Sequence, residues 1–270
     1  ARMEQAHGDP HALRDTLERL KPAVFRRKGL VLNMTADAEG LAGLETALAS
    51  RLARIPPGQD APPQTESLPP PRPSGIAIPA QVCYVAKVLT APGFTDPLTA
   101  ALTVAARHLA GGYLYQRVRL QGGAYGGLSA YDPSSGLFAF LSYRDPHIVQ
   151  TLEAYAGAVQ SLTEAPIPSE ELTKAIIGAI GAMDKPMDPC GRGRAALFRT
   201  FTGLTDERRR QLRNAILTMT PEALREAADR FFRRAEEAGS GADVAVLAPQ
   251  DRLEGANRTL ETPLMLETLV

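Results

Sequence analysis

A proline-rich stretch constrains this chain more than any other feature. Eight of the 22 prolines lie between Pro56 and Pro73, mixed with Gln, Ser, Asp and Thr. Proline has no backbone N–H, and this composition cannot form a packed element, so the stretch predicts a semi-extended linker. The 270 residues allow one large domain or two modest ones. The chain must therefore fold from the residues on either side of the linker.

The residues before the linker predict two helices around a short strand. Asp9-Pro10 opens a helix with a leucine at every third or fourth position, residues 30–35 (LVLNMT) predict a strand, and a second helix is expected at about residues 40–54. Such a fragment is too small for a self-standing domain. We expect residues 1–66 to be the tail of a preceding domain plus linker. The first residue is alanine rather than methionine, so we also expect an excised or processed piece of a longer chain.

Residues 67–270 predict one α+β domain with a mostly antiparallel sheet and helices packed on one side. Two apolar strands (GIAIP, QVCYVAKVLTA) precede a helix that starts at Pro97 and delivers Arg117 and Arg119 at its C-terminal end. The turn DPSSG joins AYGGLSAY to GLFAFLSYR and predicts a hairpin. Helices are expected over 148–163 and 169–183 and from Thr205 and Thr220, with a final strand over 243–248.

Composition argues against several partner classes. Thirty basic residues balance thirty acidic ones and no tryptophan is present, so neither nucleic acid nor an anionic membrane surface is an expected partner. No apolar run approaches the ~20 residues that span a bilayer. Cys83 and Cys190 lie far apart without C-x-x-C spacing, which predicts neither a disulfide framework nor a cysteine zinc site and suits a reducing compartment.

The glycine-rich segment RLQGGAYGG, residues 119–127, carries the candidate chemistry. Its glycines do not match the G-x-G-x-x-G spacing of a phosphate cradle, and neither H-E-x-x-H nor H-x-x-E-H occurs in the chain. Arg119 and Tyr125 remain: a guanidinium and a phenol can donate hydrogen bonds to a carbonyl or an oxyanion, and bare glycine backbone lets an extended peptide approach. Spacing alone is also compatible with the alternative that Arg119 is an ordinary surface residue and Tyr125 a strand residue beside a turn.

Three segments occur in order: YLYQRVRLQGGAYGG (113–127), SGLFAFLSYRDPH (135–147) and LTKAIIGAIGAMD (172–184). They resemble, with matching gaps, the C-terminal half of presequence proteases, a subfamily of the pitrilysin and insulinase zinc peptidases. The resemblance extends from about Gly75 to Asp243. It implies four related α+β domains in two halves that close around an unfolded peptide, with zinc bound by an H-x-x-E-H motif and a distal glutamate of the N-terminal half.

The resemblance also implies the site residues and partners. The C-terminal half of such an enzyme contributes an arginine and a tyrosine six residues apart, which match Arg119 and Tyr125; Gly122, Gly123 and Gly126 are the further candidate substrate-binding residues. Residues 67–270 would be the fourth domain, without a zinc site. We therefore expect a chain inactive alone, whose partners are a zinc-binding N-terminal half and an unfolded oligopeptide, in the bacterial cytoplasm or alternatively an organellar matrix or periplasm. The competing hypothesis is a non-catalytic scaffold or peptide-binding subunit of the same fold.

Overall fold

The computed structural model describes residues 9–58, 72–237 and 243–268. The predicted boundary between residues 66 and 67 and most of the predicted linker lie outside these ranges. The elements in chain order are α1 (Pro10–Val24), α2 (Ala38–Leu52), β1 (Ser74–Ala77), β2 (Tyr84–Thr90), α3 (Thr99–Gly111), a π-helical segment (Tyr115–Gln121), β3 (Gly126–Asp132), β4 (Leu137–Tyr143), α4 (Val149–Glu164), α5 (Ser169–Met183), α6 (Pro189–Thr202), α7 (Asp206–Leu217), α8 (Pro221–Glu237), β5 (Asp243–Ala248), α9 (Gln250–Asn257) and β6 (Met265–Thr268).

The chain divides into two compact units. One comprises Ala1–Leu68 and Met187–Phe201, the other Pro69–Pro186 and Thr202–Val270. In the first unit, α1 begins as predicted, because the Asp9 carboxylate accepts hydrogen bonds from the first backbone amides and proline occupies the first turn. The apolar side of α1 is exposed to solvent along its length.

The predicted strand at residues 30–35 is wrong. That segment adopts no strand, and Leu30, Val31 and Leu32 are exposed. Backbone of strand composition forms a strand only when a neighbouring strand accepts its hydrogen bonds, and no described strand pairs with it.

The second unit is organised by a six-stranded sheet with strand order β3-β4-β2-β5-β1-β6. The pairs β3–β4, β4–β2 and β2–β5 are antiparallel, whereas β1 runs parallel to both β5 and β6. The predicted hairpin is confirmed, with Gly136 at φ 67 in its turn. The predicted α+β class with a mostly antiparallel sheet is likewise confirmed.

One face of the sheet is covered by helices. Alternate residues of β4 are buried, and Phe138 packs edge-on against Phe232 of α8 at a ring separation of 5.5 Å. Phe140 stacks on Tyr155 of α4 at 5.4 Å, and the Tyr155 hydroxyl donates to the Val85 carbonyl. Burial raises the pKa of Tyr155. Leu137 and Tyr143, on the opposite face of β4, are exposed, so the helices of the second unit pack on one side of the sheet as predicted.

The sequence patterns did not predict three elements of the structure, namely α6, α9 and β6. The strand over Asp243–Ala248 forms as predicted, but it is not the last strand of the chain. Strand β6 follows it in sequence and pairs with the outer side of β1, so that β6 is an edge strand of the sheet. Strand β6 has only four residues and α9 only eight. Elements this short carry too few residues to establish a hydrophobic period.

None of the helices formed by the described residues combines the length and the hydropathy needed to cross a bilayer.

Candidate functional site

Arg117 and Arg119 lie on a separate turn rather than at the end of α3. Helix α3 ends at Gly111, Gly112 follows at φ −107 and ψ −99, and the chain resumes as the π-helical segment. The predicted continuous helix from Pro97 to Arg119 is therefore corrected, because α3 ends at this glycine pair. The Gly122 amide donates to the Arg117 carbonyl at 2.9 Å, five residues back, which widens the turn. Such π-helical turns are frequent at functional sites.

Two glycines of the segment have structural reasons to be glycine. A Cβ on Gly122 would lie 2.6 Å from the Val118 carbonyl oxygen, and Gly123 has φ +77. These two residues turn the chain from the π-helical segment into β3. Gly126 differs, since a Cβ there would meet nothing closer than the Tyr143 Cβ at 3.9 Å. The open backbone that a peptide could approach is therefore at Gly126.

The Arg119 side chain lies close to two aromatic rings. Its guanidinium carbon is 5.4 Å from the centre of the Tyr115 ring and 5.7 Å from that of Tyr125. Both distances are within the range of cation–π attraction. Tyr125 is 66% exposed and its amide donates to the Arg144 carbonyl at 3.4 Å. The structure thus brings the predicted guanidinium and phenol side by side on an accessible surface.

A row of tyrosines extends this surface beyond the predicted residues. Tyr125 meets Tyr143 edge-on with ring centres 5.8 Å apart, and Tyr143 meets Tyr84 in the same way at 5.5 Å. Tyr84 and Tyr143 lie on the sheet face opposite to the helices of the second unit. The alternation in GLFAFLSYR could have placed Tyr143 on the solvent face, but only the β2–β4 register brings Tyr84 beside it.

A buried carboxylate anchors the chain behind the site. Asp145 is fully buried, and its two oxygens accept from the His147 amide at 2.9 Å and the Thr151 hydroxyl at 2.7 Å. Its backbone exchanges two hydrogen bonds with Cys83. Burial, followed by the nearby Asp145 charge, raises the pKa of the Cys83 thiol, so Cys83 is a packed residue rather than a nucleophile.

The arrangement can bind and polarise a carbonyl group, and the described residues offer no metal-binding cluster. Across residues 9–58, 72–237 and 243–268, no group of three or more His, Cys, Asp or Glu side chains could hold a metal ion. What the site presents is a guanidinium and a phenol at the start of β3. Donors of this kind stabilise a carbonyl oxygen or an oxyanion.

Comparison with known families decides what kind of domain carries this site. The PreP C-terminal domain family matches residues 74–247. The chain belongs to this family. The match covers the whole candidate site and most of the second unit, and it confirms the resemblance to presequence proteases.

Individual relatives agree with the family. The chain is 34% identical over 250 residues to presequence protease 1, chloroplastic/mitochondrial, of Arabidopsis thaliana, covering 92% of this chain and 23% of that protein. It is 30% identical over 174 residues to the mitochondrial presequence protease of Danio rerio, covering 64% of this chain and 16% of that protein. The chain spans less than a quarter of the length of these curated relatives.

Solved structures agree on the fold. The crystal structure of a peptidase inactive domain from Pseudomonas fluorescens superimposes with a TM-score of 0.56 at 17% identity, covering 77% of this chain and 52% of that one. At that identity the likeness supports the fold of the second unit, and the function has to be argued from the site.

Proposed function

We propose that this chain is the C-terminal, non-zinc-binding part of an oligopeptide-degrading zinc metallopeptidase and is inactive alone. The observation that carries the proposal is the pairing of Arg119 and Tyr125, with the guanidinium 5.7 Å from the phenol ring at the exposed start of β3. Family membership supplies the reaction class, because the relatives are named as proteases.

The two side chains would have different roles. Tyr125 would donate its phenolic hydrogen to the oxyanion that forms when the scissile carbonyl is attacked. Arg119, close to Tyr115 and Tyr125, would bind a neighbouring carbonyl of the peptide. Gly126 would let the peptide backbone lie close to the strand, and Gly122 and Gly123 would shape the turn beneath it.

The zinc ion and the base would come from the N-terminal half of the same polypeptide. The described residues do not fit a metal ion, so no step within this chain runs through one. Bound elsewhere, zinc would supply activation of the attacking water. The proposed partners are that zinc-binding half and an unfolded oligopeptide, and a bacterial cytoplasmic location stays a prediction.

The domain assignment is proposed on the same basis. Residues 1–66 would be the end of the preceding domain plus linker, and residues 67–270 the final domain. The exposed apolar side chains of α1, Leu13, Leu17, Leu20 and Val24, support this assignment, because a helix pair separated from the rest of its domain leaves such a stripe uncovered.

A single hydroxyl deletion tests the catalytic role. In the full-length polypeptide that contains this chain, Tyr125→Phe should lower kcat for a quenched fluorescent peptide by about 10²- to 10³-fold with a smaller change in KM. Tyr113→Phe removes a phenol from a ring that contacts Arg117 instead, and should keep wild-type kinetics. Full activity of the Tyr125→Phe enzyme would show that the assignment is wrong.

The second candidate is a non-catalytic, peptide-holding subunit. It is favoured by the likeness of the fold to a peptidase inactive domain. Peptide cleavage by the full-length polypeptide, abolished by a chelator, would select the enzyme. Peptide binding without cleavage, and a parent sequence lacking H-x-x-E-H upstream, would select the scaffold.

A further inference from the structure

Strand β3 presents an open edge. It lies at one end of the strand order and pairs only with β4 within the described sheet. Because the Tyr125 amide donates to the Arg144 carbonyl, the odd-numbered residues of β3 direct their backbone groups at β4, and alternation turns those of Leu128 and Ala130 outward. An edge with free N–H and C=O groups is a template for another strand.

A groove runs along this edge. Its volume is about 350 Å³, and it is bounded by β3, by α3, by α5 and by α7. Its lining residues include one charged side chain, Arg107, and are otherwise apolar or carry a hydroxyl: Phe94, Thr103, Ala106, Ser129, Ala130, Tyr131, Pro133, Ala179, Ala182, Met183 and Leu212. The groove thus combines a main-chain edge on one side with apolar helical walls on the other.

Ser129, which lines the groove, has a side-chain hydroxyl whose hydrogen-bonding capacity the described residues leave unused. Its oxygen is shielded from solvent and has no hydrogen-bond partner within the described part of the chain. Ser129 pairs with Phe140 and therefore points to the helix-covered face, beside the groove. A buried hydroxyl without a partner costs free energy, which a ligand offering an amide, carbonyl or hydroxyl would recover.

We propose that this groove takes an extended segment of the peptide, added to the sheet as a further strand beside β3. The peptide would exchange main-chain hydrogen bonds with Leu128 and Ala130 and place apolar side chains between β3 and α5. This inference rests on the proposed function for its occupant, because Tyr125 immediately precedes the same strand. Ser129 lies four residues farther on, which is about 13 Å along a strand.

The groove also defines the class of peptide. Strand addition recognises main chain, so selectivity comes from alternate side chains that enter the groove. Apolar side chains of medium size suit the surface formed by Ala106, Ala179, Met183 and Leu212. Arg107 disfavours a basic residue at the same position. The groove is therefore a subsite for apolar residues about four positions from the bond that is cleaved.

A proline substitution separates strand addition from the fold. The probe is a fluorescein-labelled 12-residue peptide of alternating Leu and Ser, and binding to the 270-residue chain is followed by fluorescence anisotropy. Ala130→Pro removes an outward amide that β4 does not use and should weaken binding about tenfold or more. Ala139→Val adds similar bulk on the open sheet face of the neighbouring strand β4, outside the groove lining, so it should bind as wild type.

A second pair of variants tests the groove itself. Ala182 is exposed and lines the groove, so Ala182→Trp should fill it and weaken binding by a similar factor. Ile177 is exposed on the same helix and is absent from the lining, so Ile177→Trp should bind normally. Circular dichroism of each variant establishes that the fold is retained.

A modified peptide keeps the test decisive if a variant fails to fold. The same peptide with alternate amides N-methylated cannot complete the ladder and should bind wild-type chain about tenfold more weakly. Equal binding of methylated and unmethylated peptides, or no binding to the wild-type chain, would overturn the proposal that a peptide adds to β3 in this groove. A fully active Tyr125→Phe enzyme with groove binding intact would instead overturn only the catalytic role.

Discussion

At the scale of single residues, aromatic rings and backbone strain position the candidate site. The rings of Tyr115 and Tyr125 both lie within cation–π distance of the Arg119 guanidinium. Arg144, whose carbonyl receives the Tyr125 amide, is the one non-glycine in the described ranges with positive φ, at 52°. Such conformations are costly and concentrate at functional sites. No residue-type signal in the sequence marks Arg144.

His108 makes stability depend on pH. Burial lowers its pKa, and the nearby Glu171 opposes this only in part; Arg107 and Lys174 line the same hollow. The folded state therefore binds fewer protons than the unfolded state as pH falls through about 6.5. Between about pH 7.5 and 5.5, wild-type chain should lose more unfolding free energy than His108→Gln, as measured by urea denaturation. Equal losses in both proteins would contradict this.

At the scale of elements, the π-helical segment decides where the site residues point. Leu114 and Val118 are buried while Tyr115 and Arg119 are exposed, so the segment is anchored on one side and presents the site on the other. The sequence predicted one continuous helix from Pro97 through Arg119 here. The wider π-helical turn could not be predicted from the sequence. Its hydrogen bonds join residues five apart, the segment packs against β3, and no characteristic amino-acid composition distinguishes such a turn from an α-helix.

Glycine substitutions separate the turn from the open strand. Gly122→Ala would place a Cβ 2.6 Å from the Val118 oxygen, so the unfolding free energy should fall by about 1–3 kcal/mol. Gly126→Ala is the matched control, because its Cβ would meet no atom within 3.9 Å, and its stability should equal wild type. Chemical denaturation measures both. Similar destabilisation in the two variants would mean that Gly122 is not held by close backbone contact.

At the scale of the whole molecule, the proposed function assigns this chain only part of an active site. The relatives are more than four times as long as the region they share with it, and the described residues have no metal-holding group. We expect the 270-residue chain to bind no zinc stoichiometrically and to cleave no quenched peptide, with a chelator making no difference. Metal content by plasma emission spectrometry and a peptide assay check this. Stoichiometric zinc on this chain alone would contradict both functional hypotheses.

The sequence by itself determined the fold class and the hairpin, and it pointed to Arg119 and Tyr125, whose roles stay a proposal. Period-two and period-3.6 patterns, turn chemistry and motif spacing are local, so they can be read along the chain. Tertiary structure alone decided that β6 is the edge strand next to β1, that residues 30–35 form no strand, and that Tyr84 and Tyr143 lie next to the candidate site. It also decided that a groove runs beside β3, next to a Ser129 hydroxyl that has no hydrogen-bond partner among the described residues. These features depend on strand register and on which elements become neighbours, and both are set by packing between residues distant in sequence.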